Sequence, residues 1–273
     1  MARPLTCCAA ARGLPRLLTL LLVLVLPAAR AAAATGPTEL DDVEYQSLSE
    51  AADRFDHLAL VPPPAGTAGL WLVIGDRFGM VRIDHVTHLA SREIWRSKQL
   101  NGIVDEVITA DLDNDGREEI IARTASGKVY VWSTVDFGLR YESLDADFHK
   151  VHAIAVGNMD DDAQNELVVN ADRHLYYLDG RSFNREYTSI DEYECTRMRI
   201  GDVDGDRTNE IVMNTGQVID GRTGTVEWSD EVFGARLDLV DVDGDGLPEV
   251  VTESDGAPLR IYDVDLRKEK HLQ

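Results

Sequence analysis

The chain has 273 residues, with 27 basic against 49 acidic side chains and a net charge of −22. So acidic a polypeptide disfavours nucleic acid and anionic membrane surfaces as partners.

The first elements in chain order concern targeting. Arg3, Arg12 and Arg16 give a basic start, and Leu17 to Leu26 is an apolar run too short to span a bilayer. Ala29-Arg30-Ala31 then fits a small-residue cleavage site. Residues 1–31 therefore read as a secretory signal peptide, with an uncleaved anchor as the alternative. The expectation is a secreted, periplasmic or cell-surface protein with no membrane span after cleavage. Residues 1–31 hold four arginines and no acids, so the remainder carries 23 basic and 49 acidic residues, a net −26. Cys195 is then the only cysteine left, which excludes an internal disulfide. The remaining length suits one domain of a repeating architecture.

Residues 32–53 comprise a small-residue linker and an ambiguous segment. Leu40, Val43, Leu48, Ala51 and Phe55 are spaced for an amphipathic helix. Val43 to Ser47 also resembles a strand that could close a ring. Residues 54–273 then repeat one pattern. An apolar strand, such as Val107 to Ala110, leads into an acidic loop. A second strand (Ile120-Ile121-Ala122), a hairpin and a third strand follow, and a closing strand carries an aromatic. Short β-branched runs bounded by Gly, Asp and Asn read as strands. The closing aromatics are Trp95, Tyr141, Tyr187 and Trp228, read as packing between units rather than as sugar platforms. A further unit upstream pairs residues 56–61 with Leu70 to Ile74, and its loop has lost the acids. The fold expected is all-β: a β-propeller of about five four-stranded blades, with a metal loop in four of them.

The loops run 111–119, 158–166, 202–210 and 241–249, so position 1 recurs after 47, 44 and 39 residues. Oxygen side chains stand at positions 1, 3, 5 and 9. In the first loop these are Asp111, Asp113, Asp115 and Glu119, with Arg117 offering a backbone carbonyl at position 7. The second has Asn158, Asp160, Asp162 and Glu166, with Gln164 at position 7. The third has Asp202, Asp204, Asp206 and Glu210, with Thr208. The fourth has Asp241, Asp243, Asp245 and Glu249, with Leu247. Clustered carboxylates repel unless a cation lies among them, and hard oxygens in a flexible loop suit calcium better than magnesium. No Cys or His lies in the loops, which argues against softer metals. The closing acid at position 9 and flanking strands set these loops apart from an EF-hand. Up to four Ca2+ are expected, in a structural role. The second loop should be weakest, because Asn158 removes a charge and Ala163 replaces the turn glycine of Gly116 and Gly246.

At this point the chain resembles the FG-GAP/VCBS-like repeat family, the blades of integrin α-type propellers. The resemblance covers residues 54–265 and rests on Asp241-Val242-Asp243-Gly244-Asp245-Gly246 with Phe233-Gly234 upstream. It implies calcium in the loops and protein or glycan binding on an exposed face. Integrin-type propellers have seven blades, whereas five are counted here. No catalytic constellation emerges. His149 with His152 and His85 with His88 lack a third ligand of suitable spacing. Arg197, Arg199 and Arg236 could screen the acidic loops or line a central channel. The reading is a binding or adhesion module for an unknown protein or glycan ligand, not an enzyme. The alternative is a secreted polysaccharide lyase or hydrolase built on a propeller.

Overall fold

The computed structural model describes residues 57–270, apart from Leu89, Asp161, Asp255 and Gly256. The expected signal peptide, the expected linker and segment 39–55 lie outside the described residues.

Twenty strands form five antiparallel sheets of four, each in simple sequence order. Blade 1 is β1 (Leu58–Val61), β2 (Leu70–Gly75), β3 (Val81–Val86) and β4 (Ser91–Arg96). Blade 2 is β5 (Val104–Ala110), β6 (Glu119–Thr124), β7 (Val129–Ser133) and β8 (Leu139–Glu142). Blade 3 is β9 (Val151–Gly157), β10 (Glu166–Ala171), β11 (His174–Asp179) and β12 (Arg185–Thr188). Blade 4 is β13 (Met198–Gly201), β14 (Glu210–Met213), β15 (Gln217–Asp220) and β16 (Val226–Ser229). Blade 5 is β17 (Arg236–Val240), β18 (Glu249–Glu253), β19 (Arg260–Asp263) and β20 (Lys268–Lys270). The upstream unit inferred from residues 56–74 is blade 1, and its loop keeps Gly66 at φ +86°, the value also found at Gly116.

The alternation of a strand explains how the blades stack. In β6, Ile120 and Ala122 face blade 1, packing with its Val73 and Ile83 and with Val104 of their own blade, while Ile121 faces blade 3 with Ile154 and Leu167. Two further clusters join blade 3 to blade 4 (Val168 and Tyr177 with Ile211 and Met213) and blade 4 to blade 5 (Val212 and Val218 with Leu237 and Val250). Middle blades are buried on both faces, so every residue of β6 and β10 is buried. Full burial of each aliphatic side chain contributes roughly 1.5–3 kcal/mol, which fits the apolar centres Ile120-Ile121-Ala122 and Leu167-Val168-Val169 of these strands. The end blades differ. In β2 buried residues alternate with half-buried Leu70, Leu72 and Ile74, and in β18 Val251 and Glu253 are half-buried.

The closing aromatics cross these interfaces. Trp95 of blade 1 stacks on Phe137 of blade 2 at 5.6 Å, and Tyr141 stacks on Phe183 of blade 3 at 4.8 Å. Trp228 meets Tyr262 of blade 5 edge-on at 6.2 Å. Tyr187 lies on Tyr177 of its own blade, and a Cβ at Gly224 in blade 4 would collide with its hydroxyl. The rings pack between blades, the role expected of them.

Candidate metal centres

Each acidic loop joins the first and second strands of its blade. Consecutive loops touch, so together they form one rim. Asn165 of the second loop donates its side-chain amide to the Asp111 carbonyl (2.6 Å) and its backbone amide to the Leu112 carbonyl (2.9 Å). Asn209 repeats the contact one blade on, donating to the Asn158 carbonyl at 2.8 Å. Both asparagines sit at position 8, a regularity the oxygen pattern alone does not reveal.

Within a loop the carboxylates first organise the backbone. The position-1 aspartate accepts the position-6 amide in three loops: Gly116 to Asp111 (2.8 Å), Arg207 to Asp202 (3.1 Å) and Gly246 to Asp241 (3.1 Å). The position-5 aspartate accepts the position-7 amide in all four, from Arg117, Gln164, Thr208 and Leu247. The closing glutamate accepts the position-2 amide in all four, at 3.0 Å from Leu112, 2.5 Å from Met159, and 2.8 Å from Val203 and Val242. These bonds turn the remaining oxygens inward. Asp111, Asp113 and Asp115 each bring an oxygen within 4.8 Å of the others, as do Asp202, Asp204 and Asp206. Asp160, Asp162 and Glu166 converge in the second loop, and Asp241, Asp243 and Glu249 in the fourth.

The fit to a hard cation rests on oxygens left without donors. Oε1 of Glu166 and of Glu210, and Oδ1 of Asp113, are buried and accept no hydrogen bond. Glu166 and Glu210 are 1% and 0% exposed. A buried carboxylate oxygen with no donor is costly, and a bound cation removes that cost. The electrostatics agree. Burial, then the neighbouring aspartates, push the carboxyls of Glu119 and Glu166 up to about 7 and that of Glu210 up to about 8. Burial also raises Asp204, Glu186 and Glu227.

The second loop departs from the others, though not as Ala163 suggested. Ala163 is absent from the left-handed region, so the strain expected there does not arise. Instead Asn158 turns its amide donor onto the carbonyls of Asp162 (3.0 Å) and Gln164 (2.9 Å). The position-7 carbonyl offered to an ion is thus already engaged, because an amide donates where an aspartate cannot. The strain falls on the third loop. Arg207 takes φ +76° at the position where the first and fourth loops have Gly116 and Gly246. Arg207→Gly is expected to raise stability by about 1 kcal/mol, read as a higher denaturation midpoint, since its side chain loses nothing buried.

The other flagged residues lie elsewhere. Arg199 pairs with Asp238 and Arg236 with Glu253, each at 3.3 Å, and neither partner is a loop position. Screening of the loops by these two arginines is therefore not what the structure shows. His149, an exposed side chain, lies 3.3 Å from Asp172, and His152 is held below its usual range by burial and by Lys150. The Cys195 thiol is free and buried, pushed up to about 12. No helix among the described residues is long and apolar enough to cross a membrane. Lys270, at the end of β20, places its ammonium 2.7 Å from Asp243 and 2.5 Å from Glu249.

No family model matches the chain, and no curated protein matches it. Solved structures do. Sqt1 of Saccharomyces cerevisiae aligns with a TM-score of 0.54 at 13% identity, over 73% of this chain and 56% of that one. The computationally designed Ika8 protein aligns at 0.51 and 15%, over 78% and 60%. BBS1N, solved in complex with ARL6DN, aligns at 0.56 and 11%, over 79% and 67%. The fold is a β-propeller. The chain spans 56–67% of the length of these matched chains, and identity this low shows the fold alone.

Proposed function

We propose that this propeller is exported, that its loops hold calcium in the manner of FG-GAP/VCBS-like repeats, and that it serves as a binding or adhesion module for a protein or glycan. The observation that carries the calcium reading is the set of inward carboxylates closed by a buried glutamate whose second oxygen has no donor at Glu166 and Glu210. Calcium takes six to eight oxygens in flexible geometry, whereas magnesium demands a stiff octahedron and keeps its waters. The first loop would use Asp111, Asp113, Asp115, Glu119 and the Arg117 carbonyl. The third would use Asp202, Asp204, Asp206, Glu210 and the Thr208 carbonyl. The ion supplies charge neutralisation; the chain supplies a rim on which consecutive loops hold one another. The basic, apolar and small-residue succession of residues 1–31 supports export.

Calorimetric titration of chelator-treated protein with calcium and with magnesium tests this. Binding of calcium well ahead of magnesium is expected, with the second loop filling last among the first three. Equal heats for the two ions would argue against it. For the binding role, a glycan array and a panel of surface proteins are probed in calcium and in chelator. Capture in calcium that is lost in chelator is expected, because the ions stiffen the scaffold that presents the binding face; capture unchanged in chelator would contradict that coupling.

A further inference from the structure

The last strand of blades 2, 3 and 4 places an aromatic at one fixed register. Tyr141 lies opposite Val131, Tyr187 opposite Tyr177, and Trp228 opposite Val218. Those partners in turn face Ile121, Val168 and Val212, each two residues after the closing glutamate of its loop. The same count in blade 5 runs from Val251 to Ile261 to Lys270. A lysine therefore stands where the other blades put the ring that packs at the interface with the next blade.

Lys270 turns back onto its own blade. Its ammonium reaches Asp243 at 2.7 Å, Glu249 at 2.5 Å and Asp263 at 3.0 Å. The lysine side chain is 25% exposed, Glu249 4% and Asp263 9%. Asp243 and Glu249 are two of the three carboxylates that converge in the fourth loop. The Oε1 of Glu249 that receives the ammonium corresponds to the Oε1 left without a donor in Glu166 and Glu210. An ammonium has three donors, and here each has its own carboxylate.

We propose that Lys270 is a tethered cation that takes the ion position of the fourth loop and competes with calcium there. This rests on the calcium reading of the other loops. A divalent ion bound to Asp243 and Glu249 would lie within a few ångströms of the ammonium, and like charges at that separation repel strongly in a partly buried site. Calcium must therefore displace the lysine, whose tether to β20 keeps its effective concentration high. The sequence ranks the fourth loop with the first as the most complete. The register places it last in calcium affinity, with Asp243 and Glu249 already holding a cation in the absence of any ion.

Lys270→Met removes the charge and keeps an apolar stem; Lys270→Arg keeps the charge as a control. Calcium count and affinity are measured by native mass spectrometry and calorimetry, and melting is followed in chelator. The Met variant is expected to melt several degrees lower than wild type in chelator. It should take up one more calcium per chain than wild type at submillimolar concentration, about tenfold tighter at that site, and regain its melting temperature. The Arg variant should keep the wild-type count. Equal uptake and affinity in wild type and the Met variant would overturn this inference while leaving the calcium reading of the other loops standing. No uptake by any of the proteins would overturn both.

Discussion

In chelator, the melting temperature of this protein is expected to fall by about 10 °C or more between pH 5 and pH 8, and millimolar calcium is expected to abolish the fall. The cause is the set of closing glutamates. In the ion-free fold Glu119 and Glu166 titrate near 7 and Glu210 near 8, against an ordinary carboxyl range near 4.5. A carboxyl whose folded pKa is raised binds its proton more tightly folded than unfolded. Stability from this source is thus full below about pH 4.5 and is lost as pH rises through 7 to 8. Each such residue costs on the order of 3 kcal/mol across the window, and a domain of this size moves roughly 2–4 °C per kcal/mol. His152, held low, works in the opposite sense, but as one residue against three. The carboxyls held low, among them Asp172 and Asp179, titrate below the window. Calcium replaces the proton as the neutralising partner, and its affinity rises as the ligands ionise, so the slope flattens or reverses. Melting curves across pH in chelator and in calcium check this. A flat profile in chelator would show that the ion-free loops carry no such strain.

Replacing Glu210 by Gln should act with opposite sign in the two conditions. Glu210 is 0% exposed; its Oε2 accepts the Val203 amide at 2.8 Å and its Oε1 has no donor. A glutamine keeps the first bond, removes the buried charge, and sets a donor beside Asp204 and Asp206. At pH 8 in chelator the variant should therefore melt several degrees above wild type, by about 2 kcal/mol. In saturating calcium it should melt below wild type, because the third loop has lost its closing ligand and the stabilisation by bound ion goes with it. A variant less stable than wild type by the same amount in both conditions would mean that Glu210 serves only as an acceptor for Val203. Glu106→Gln makes a useful contrast. Glu106 is a buried partner of Arg123 at 2.8 Å, on β5 outside the acidic loops, and its loss should destabilise equally with and without calcium.

Much of this was legible from residue order. The period of the acidic loops located the blades, because each loop must join a first strand to a second. Short β-branched runs such as Ile120-Ile121-Ala122 marked the strands, and their unbroken apolar character fits the burial of β6 on both faces. Blade 1 was recoverable without its acids, since Gly66 keeps the turn conformation that the loop geometry needs. What remained hidden depends on contacts between distant segments. Asn165 and Asn209 look like ordinary loop residues until the preceding blade supplies the carbonyls they meet. Asn158 reads as a weaker aspartate by charge, yet its amide acts as a donor that folds the loop on itself. Ala163 was expected to carry strain that the backbone avoids, while Arg207 carries it in the third loop. Lys270 stands 21 residues beyond Glu249 and breaks the aromatic pattern instead of continuing it. The signal was present in the hairpin register, where a lysine takes the slot of Tyr141, Tyr187 and Trp228.

Equilibrium dialysis of the purified protein against radioactive calcium, after exhaustive chelation, weighs the central claim most directly. Saturable uptake of more than one ion per chain is expected, with Asp113→Asn and Asp204→Asn each removing one. A protein that returned from millimolar calcium with none bound would contradict it.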